Sequence, residues 1–140
     1  WELSRIRYAL ELSAAEDAVK NMTDQGLERL RQIQAAQRED LSNYNVDEFI
    51  RHDREFHSCI YEMSLNRELM KLASNYYDVF RFLGMQAVMG TEERRLTTIE
   101  EHQDILEAME QHNPKAAVQA MKKHMEQTET NIRRHIKIAP

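Results

Sequence analysis

Cysteine, glycine, proline and long apolar runs are all scarce in this chain. The single cysteine, Cys59, excludes an internal disulfide and suits a reducing compartment, so a cytoplasmic location is expected. Three glycines and two prolines in 140 residues leave little material for turns or a loop-rich fold. No apolar stretch approaches the length of a membrane-spanning helix, and no signal-peptide pattern occurs, so no membrane partner is expected. Basic charge is not in excess either. A net charge of −5 opposes nucleic-acid binding by this stretch itself. What is abundant is helix-forming stock, with eight Met alongside many Ala, Leu, Glu, Gln and Arg. A mass of 16.6 kDa is enough for one domain with a real core, spanning residues 1–140. Because the first residue is Trp1 rather than Met, the chain is expected to be part of a longer protein.

The apolar residues recur at helical spacing throughout, and no strand-like alternation competes. Leu3, Ile6, Leu10, Ala14 and Val19 form one stripe, and a second helix, capped by Thr23, buries Leu27, Leu30, Ile33 and Ala36. Asn45, with Glu48 three residues on, opens a third from Val46 to about Met63. Ser64-Leu65-Asn66 punctuates. A fourth helix carries Leu69, Leu72, Ala73, Tyr76, Phe80, Leu83 and Val88, and Gly90 ends it. Thr97 and Thr98, each with a glutamate three residues later, point to a fifth helix from about Thr98 to Gln111. Asn113-Pro114 pairs an N-cap with proline at the first helical position and begins a sixth. The expectation is an all-α antiparallel bundle of about six helices with a central metal or ligand cavity. The basic run 133–137 suits a helix C-terminus through the dipole before it suggests a nucleic-acid patch.

Four polar residues interrupt the inward faces. Asp53 and His57 lie four apart, so at about 100° per residue they leave a helix on the same side. His102 precedes Ile105 and Leu106 on its stripe, and His124 follows Ala120 and Met121 on another. His112 falls in a loop, and His52 and His135 stand among charges. A lone Asp/His pair at this spacing is more often a surface contact, and core histidines can be satisfied without a metal. Yet one carboxylate and three imidazoles directed inward from three helices need a compensating cation or proton. Asp53, His57, His102 and His124 are thus candidate ligands of a divalent transition metal, with zinc, nickel or manganese all suited to the set. On an octahedral ion two positions would stay open.

The chain also resembles a known family. Arg7-x-x-Leu10-Glu11, Asp53-x-x-Phe56-His57, Ser64-x-Asn66 with Leu69, Glu101-His102-x-x-Ile105-Leu106-x-Ala108, and Met121-x-x-His124 follow in order the pattern of the FCD domain. That domain is the effector-binding half of FadR-type regulators in the GntR family of bacterial transcription factors. The resemblance implies a helical bundle, a homodimer, and an N-terminal winged helix-turn-helix, absent from these residues, through which the full-length protein would bind operator DNA. In the metal-binding members an Asp and three His hold the ion, and they match Asp53, His57, His102 and His124.

A divalent ion on neutral imidazoles and one carboxylate would bring positive charge into an apolar interior, which a small carboxylate effector would offset. Arginine adds bidentate specificity. Arg7 is the leading effector-binding candidate, followed by Arg81, with Tyr76 and Asn75 as hydrogen-bonding groups. No enzyme is expected. The Glu-x-x-His pairs of di-iron bundles and the His-Glu-x-x-His of zinc proteases are missing, and no general base stands beside the ligand set. A mononuclear metalloenzyme and a structural helical module are the alternatives.

Overall fold

The computed structural model describes residues 1–136, with side chains to Arg134, so Lys137 of the basic run lies outside the described residues. Within them the chain is all helical: α1 (Glu2–Asn21), α2 (Asp24–Ser42), α3 (Val46–Met63), α4 (Arg67–Asn75), α5 (Tyr77–Val88), α6 (Glu92–Glu110) and α7 (Pro114–Ile136). The expected caps form. Thr23 Oγ1 accepts from the Gly26 amide at 3.0 Å, Asn45 Oδ1 from Glu48 at 3.2 Å, and Asn113 Oδ1 from Ala116 at 3.1 Å. With so few glycines, three of the turns pass through non-glycine residues in the left-handed region: Tyr44 (φ 55°), Leu65 (φ 53°) and His112 (φ 53°).

Three expectations change. The fourth helix is two helices, because Tyr76 (φ −100°, ψ 9°) closes α4 and opens α5, giving seven elements rather than six. The helix that carries His102 begins at Glu92, one turn and a half before Thr98. Thr91 caps it, accepting from the Arg94 amide at 3.1 Å, whereas the Thr97 and Thr98 hydroxyls donate back to the carbonyls of Glu93 and Arg94 within the helix. On α1, Leu3 and Ile6 are exposed, and the buried face runs through Arg7, Glu11, Ala14, Ala15 and Ala18. Two charged residues take the inner positions there because charged partners on α3 await them.

The α2–α3 and α6–α7 pairs pack as hairpins, α1 packs on α3 and α7, and α5 lies over α3 and α7. Two apolar cores result. The larger gathers Phe56, Ile60, Ile105, Met109, Ala117, Met121 and the alanines of α1. The smaller holds Phe49, Ile50, Ala87, Val88, Ile99 and Ile132. Along α3 and α6, Asp53 and His102 fall between residues of the two cores, whereas His57 and His124 stand among residues of the larger one. The fold therefore encloses a polar cluster at the edge of the larger core, on the side of the smaller.

Candidate metal centre

The three histidines are buried, His57 and His102 completely and His124 almost so, and Asp53 is nearly so. Their Nε2 atoms converge: His102 to His124 is 3.2 Å and His124 to His57 is 3.3 Å. Asp53 Oδ1 stands 3.3 Å from His102 Nε2 and 4.0 Å from His57 Nε2. Donors at about 2.1 Å from an ion lie about 3.0 Å apart in octahedral and about 3.4 Å apart in tetrahedral geometry. The two imidazole spacings and the Asp53–His102 spacing match such a shell, and the 4.0 Å from Asp53 to His57 is wider.

Each imidazole is oriented from behind. His57 Nδ1 donates to Glu11 Oε2 (2.9 Å), His102 Nδ1 to Gln37 Oε1 (2.9 Å) and His124 Nδ1 to Glu101 Oε1 (2.7 Å). The Gln37 amide is itself fixed, because its Nε2 donates to the Phe49 carbonyl at 3.2 Å and leaves Oε1 as the acceptor. With every Nδ1 carrying its proton, the neutral rings present three Nε2 lone pairs to one another, an arrangement that a cation relieves. Burial lowers the pKa of His57, against the pull of Glu11, and lowers that of His102 well below the ordinary value, assisted by its imidazole neighbours. Both rings are thereby kept neutral, as ligands must be. Phe56 stacks flat on His102 with centroids 4.0 Å apart and walls the cluster from the larger core. The donor set fits a divalent transition metal.

The structure brings Arg7 to this site: it is buried, with Nε 3.6 Å from Glu11 Oε1, and its Nε and Nη1 lack hydrogen-bond partners. A Cβ added to Gly84 would lie 3.1 Å from Asp53 Oδ2 and 4.0 Å from both terminal nitrogens of Arg7, so the glycine keeps α5 off a polar niche between them. The expected central cavity is narrow here. The pocket beside Arg7, reaching Leu83, Met125 and Thr128, measures about 10 Å³, the room of roughly one water. Arg81 and Asn75, the other expected effector contacts, are exposed at the surface. Tyr76 is half-buried and stacks on Phe80 with centroids 5.6 Å apart, a packing role at the α4–α5 break.

The sequence reading missed the groups that orient the ligands. Glu11 and Glu101 stand inside the quoted motifs, and their position next to or one turn from a buried residue was the available signal. Gln37 gave none, since a glutamine within a polar helix has nothing to mark it. Arg54 and Arg94, both buried, were hidden for the same reason.

Comparison with known proteins decides the family. The FCD domain model matches residues 2–127. The chain is an FCD domain. A curated relative, the Uxu operon regulator of Haemophilus influenzae, is 30% identical over 138 residues, covering 94% of this chain and 50% of that protein. The FCD domain thus spans about half the length of the curated relative it matches. Two solved structures share the fold: McbR/YncC of E. coli, with a TM-score of 0.85 at 21% identity over 96% of this chain and 67% of that one, and GntR of Streptococcus agalactiae, with 0.77 at 23% identity over 90% and 56%. The curated relative is, by its name, an operon regulator. Among the described residues no helix is long and apolar enough to cross a membrane.

Proposed function

We propose that this domain is the effector sensor of a GntR-family transcription regulator and that it reads a small carboxylate through a divalent metal held by Asp53, His57, His102 and His124. The observation that carries this reading is the convergence of three Nε2 lone pairs, each fixed from behind by an acceptor on its Nδ1. When bound, the ion would supply positive charge and open coordination positions for oxygen ligands.

The surrounding side chains favour an anion as the partner. Arg7, Arg54 and Arg94 are balanced by Glu11, Asp53 and Glu101, so three buried positive charges meet three negative ones. A divalent cation leaves this interior with an excess of two positive charges, which a carboxylate offsets. Arg7 has two unpartnered nitrogens with which to hold that carboxylate, and Gly84 leaves it space beside Asp53. Because the niche beside Arg7 is so small, effector binding requires α5 to shift outward. That movement is the differential contact by which binding would bias the relation of two such domains in a homodimer, and with it the DNA-binding halves of the full-length regulator. A cytoplasmic location follows from that role. The Uxu operon regulator of Haemophilus influenzae is a relative whose name fits such a role.

The test is elemental analysis after chelator-free purification together with a thermal-shift screen of small mono- and dicarboxylates, with and without chelator. About one divalent transition metal per chain, and acids that raise Tm only while the metal is present, are the expected results. His102→Ala should lose the metal and His112→Ala should keep it. A protein that neither carries nor takes up zinc, nickel or manganese contradicts the reading.

A further inference from the structure

A second polar site lies on the other side of Glu11. Between α3 and the α4–α5 break a cleft of about 280 Å³ opens, lined by Arg54, Ser58, Tyr61, Ser74 and Tyr77 among others. Two of its walls are buried polar side chains with unmet hydrogen-bonding capacity. Arg54 is 5% exposed and its Nε has no partner; Tyr61 is 4% exposed and its hydroxyl has none. Arg54 is poorly compensated as well, since its nearest carboxylate oxygen, Glu11 Oε1, is 3.8 Å from Nη2, and Glu11 already serves His57 and Arg7. Leaving a buried guanidinium and a buried hydroxyl without partners is costly, so the pair marks a place for an acceptor that the protein itself does not provide.

The geometry points to this cleft as a second anion-binding site, at which Arg54 and Tyr61 jointly hold a small oxyanion such as a carboxylate or phosphate. The guanidinium supplies the charge and Nε–H, and the phenol supplies an O–H. Burial, with Glu11 adding to it, pushes the Tyr61 hydroxyl pKa far up, so it remains a donor at any physiological pH. Tyr77, whose ring centroid is 5.7 Å from the Arg54 guanidinium carbon, covers the outer side of that charge. Ser58 and Ser74 add hydroxyls at the rim. A cleft of this size accepts a small acid rather than a large ligand. Glu11 separates the site from the histidine cluster, accepting from His57 through Oε2 and facing Arg54 through Oε1, so the two sites share no ligand atom.

The test is an NMR titration of the full chain with sodium acetate against sodium chloride at constant ionic strength, repeated with inorganic phosphate, in metal-loaded and chelator-treated protein. Saturable shifts of the Arg54 Nε–H and Tyr61 ring signals, equal with and without metal, are expected. Arg54→Met should weaken binding by about tenfold or more and Tyr61→Phe by a few-fold, as losing a charged and a neutral hydrogen bond would. If Arg54→Met does not fold, Tyr61→Phe decides. Whichever of acetate and phosphate binds tighter at these signals assigns the source of the oxyanion. No saturable shift beyond that of chloride, or unchanged affinity in Tyr61→Phe, overturns the proposal. So does loss of binding on chelation, which would move the anion to the histidine cluster and leave the metal reading standing.

Discussion

Two glutamates do the same job on opposite sides of the histidine cluster and are furnished very differently. Glu101 is saturated. Arg94 Nη1 donates to its Oε2 at 2.9 Å, Arg94 Nη2 donates to its Oε1 at 3.0 Å, and His124 Nδ1 donates to Oε1 at 2.7 Å. Glu11 is half open. His57 donates to Oε2, but Oε1 has no hydrogen-bond partner and faces two guanidiniums at 3.6 and 3.8 Å. Burial raises the carboxyl pKa of both, and in both the imidazole and arginine neighbours outweigh it, so each stays ionised below the ordinary carboxylate range.

The difference separates a structural support from a surface prepared for ligands. A bidentate pair spanning two turns of α6 locks His124 and leaves only Arg94 Nε unbonded. Around Glu11, the unmet groups are Arg7 Nε and Nη1, Arg54 Nε, the Tyr61 hydroxyl and Glu11 Oε1 itself. Elsewhere among the described residues only Gln34 Oε1 and Arg94 Nε are buried without a partner, and such a concentration around Glu11 is expected where a protein meets small anions.

The largest effect that separates the two sides is on stability. Arg94→Met breaks the saturated pair and leaves Glu101 buried without a guanidinium, at a cost of about 3 kcal/mol or more. Arg54→Met removes a guanidinium that makes no close contact with its carboxylate, and Glu11 keeps both His57 and Arg7. That loss should stay under about 1 kcal/mol. Urea denaturation of metal-free protein, with unchanged m, measures both. Equal losses would dissolve the distinction between the two glutamates.

Much of this architecture is legible in the sequence because it rests on periodicity. The stripe through Ile105, Leu106 and Met109 places His102 inside, and that through Ala117 and Met121 places His124 inside. The caps at Thr23, Asn45 and Asn113 need only local chemistry. The sequence misleads where a position is decided by contacts distant along the chain. The α1 stripe drawn through Leu3 and Ile6 fails because Arg7 and Glu11 meet Arg54 and His57 on α3, 46 residues away for the Glu11–His57 bond. Tyr76 ends α4 without a glycine or proline to announce it. Gln37 becomes the support of His102 through a contact 65 residues distant, which no local pattern encodes.

Acid gives a finer separation. Because both carboxyls titrate below their ordinary value of 4.5 in the folded state, the folded protein binds fewer protons than the unfolded chain as pH falls through that region. Their contribution to stability is complete above the ordinary carboxylate range and is lost progressively as pH drops through it toward the lowered folded values. Glu101→Gln should therefore flatten the fall in stability of metal-free protein between neutral and acid pH, with a lower plateau at neutral pH. Glu11→Gln should flatten it too. It should in addition strengthen acetate binding at Arg54 and Tyr61, because it removes the negative charge that the anion must approach, and Glu101→Gln should leave that affinity alone. Denaturation midpoints across pH and the acetate titration read the two outcomes; acetate affinity moving equally in both variants would place the anion elsewhere.

The smallest effect isolates the niche on the Arg7 side from everything else. Gly84 lies within α5, where alanine is preferred by about 1 kcal/mol on helix propensity alone. Its new Cβ would press at 3.1 Å on Asp53 Oδ2, a carboxylate oxygen that can yield by a few tenths of an ångström, so these terms nearly cancel. Gly84→Ala should change stability by less than about 1 kcal/mol in either direction. It should leave metal content at the wild-type level, because Asp53 reaches the histidines through Oδ1 and the alanine touches Oδ2. What it should reduce is the Tm shift given by small carboxylates in the metal-loaded protein, since the methyl group occupies the space between Asp53 and Arg7. Arg81→Ala, at an exposed position on the same helix, is the control and should alter none of the three. If Gly84→Ala retains the full carboxylate response, the effector does not sit beside Arg7, and the open side of Glu11 serves only the cleft at Arg54.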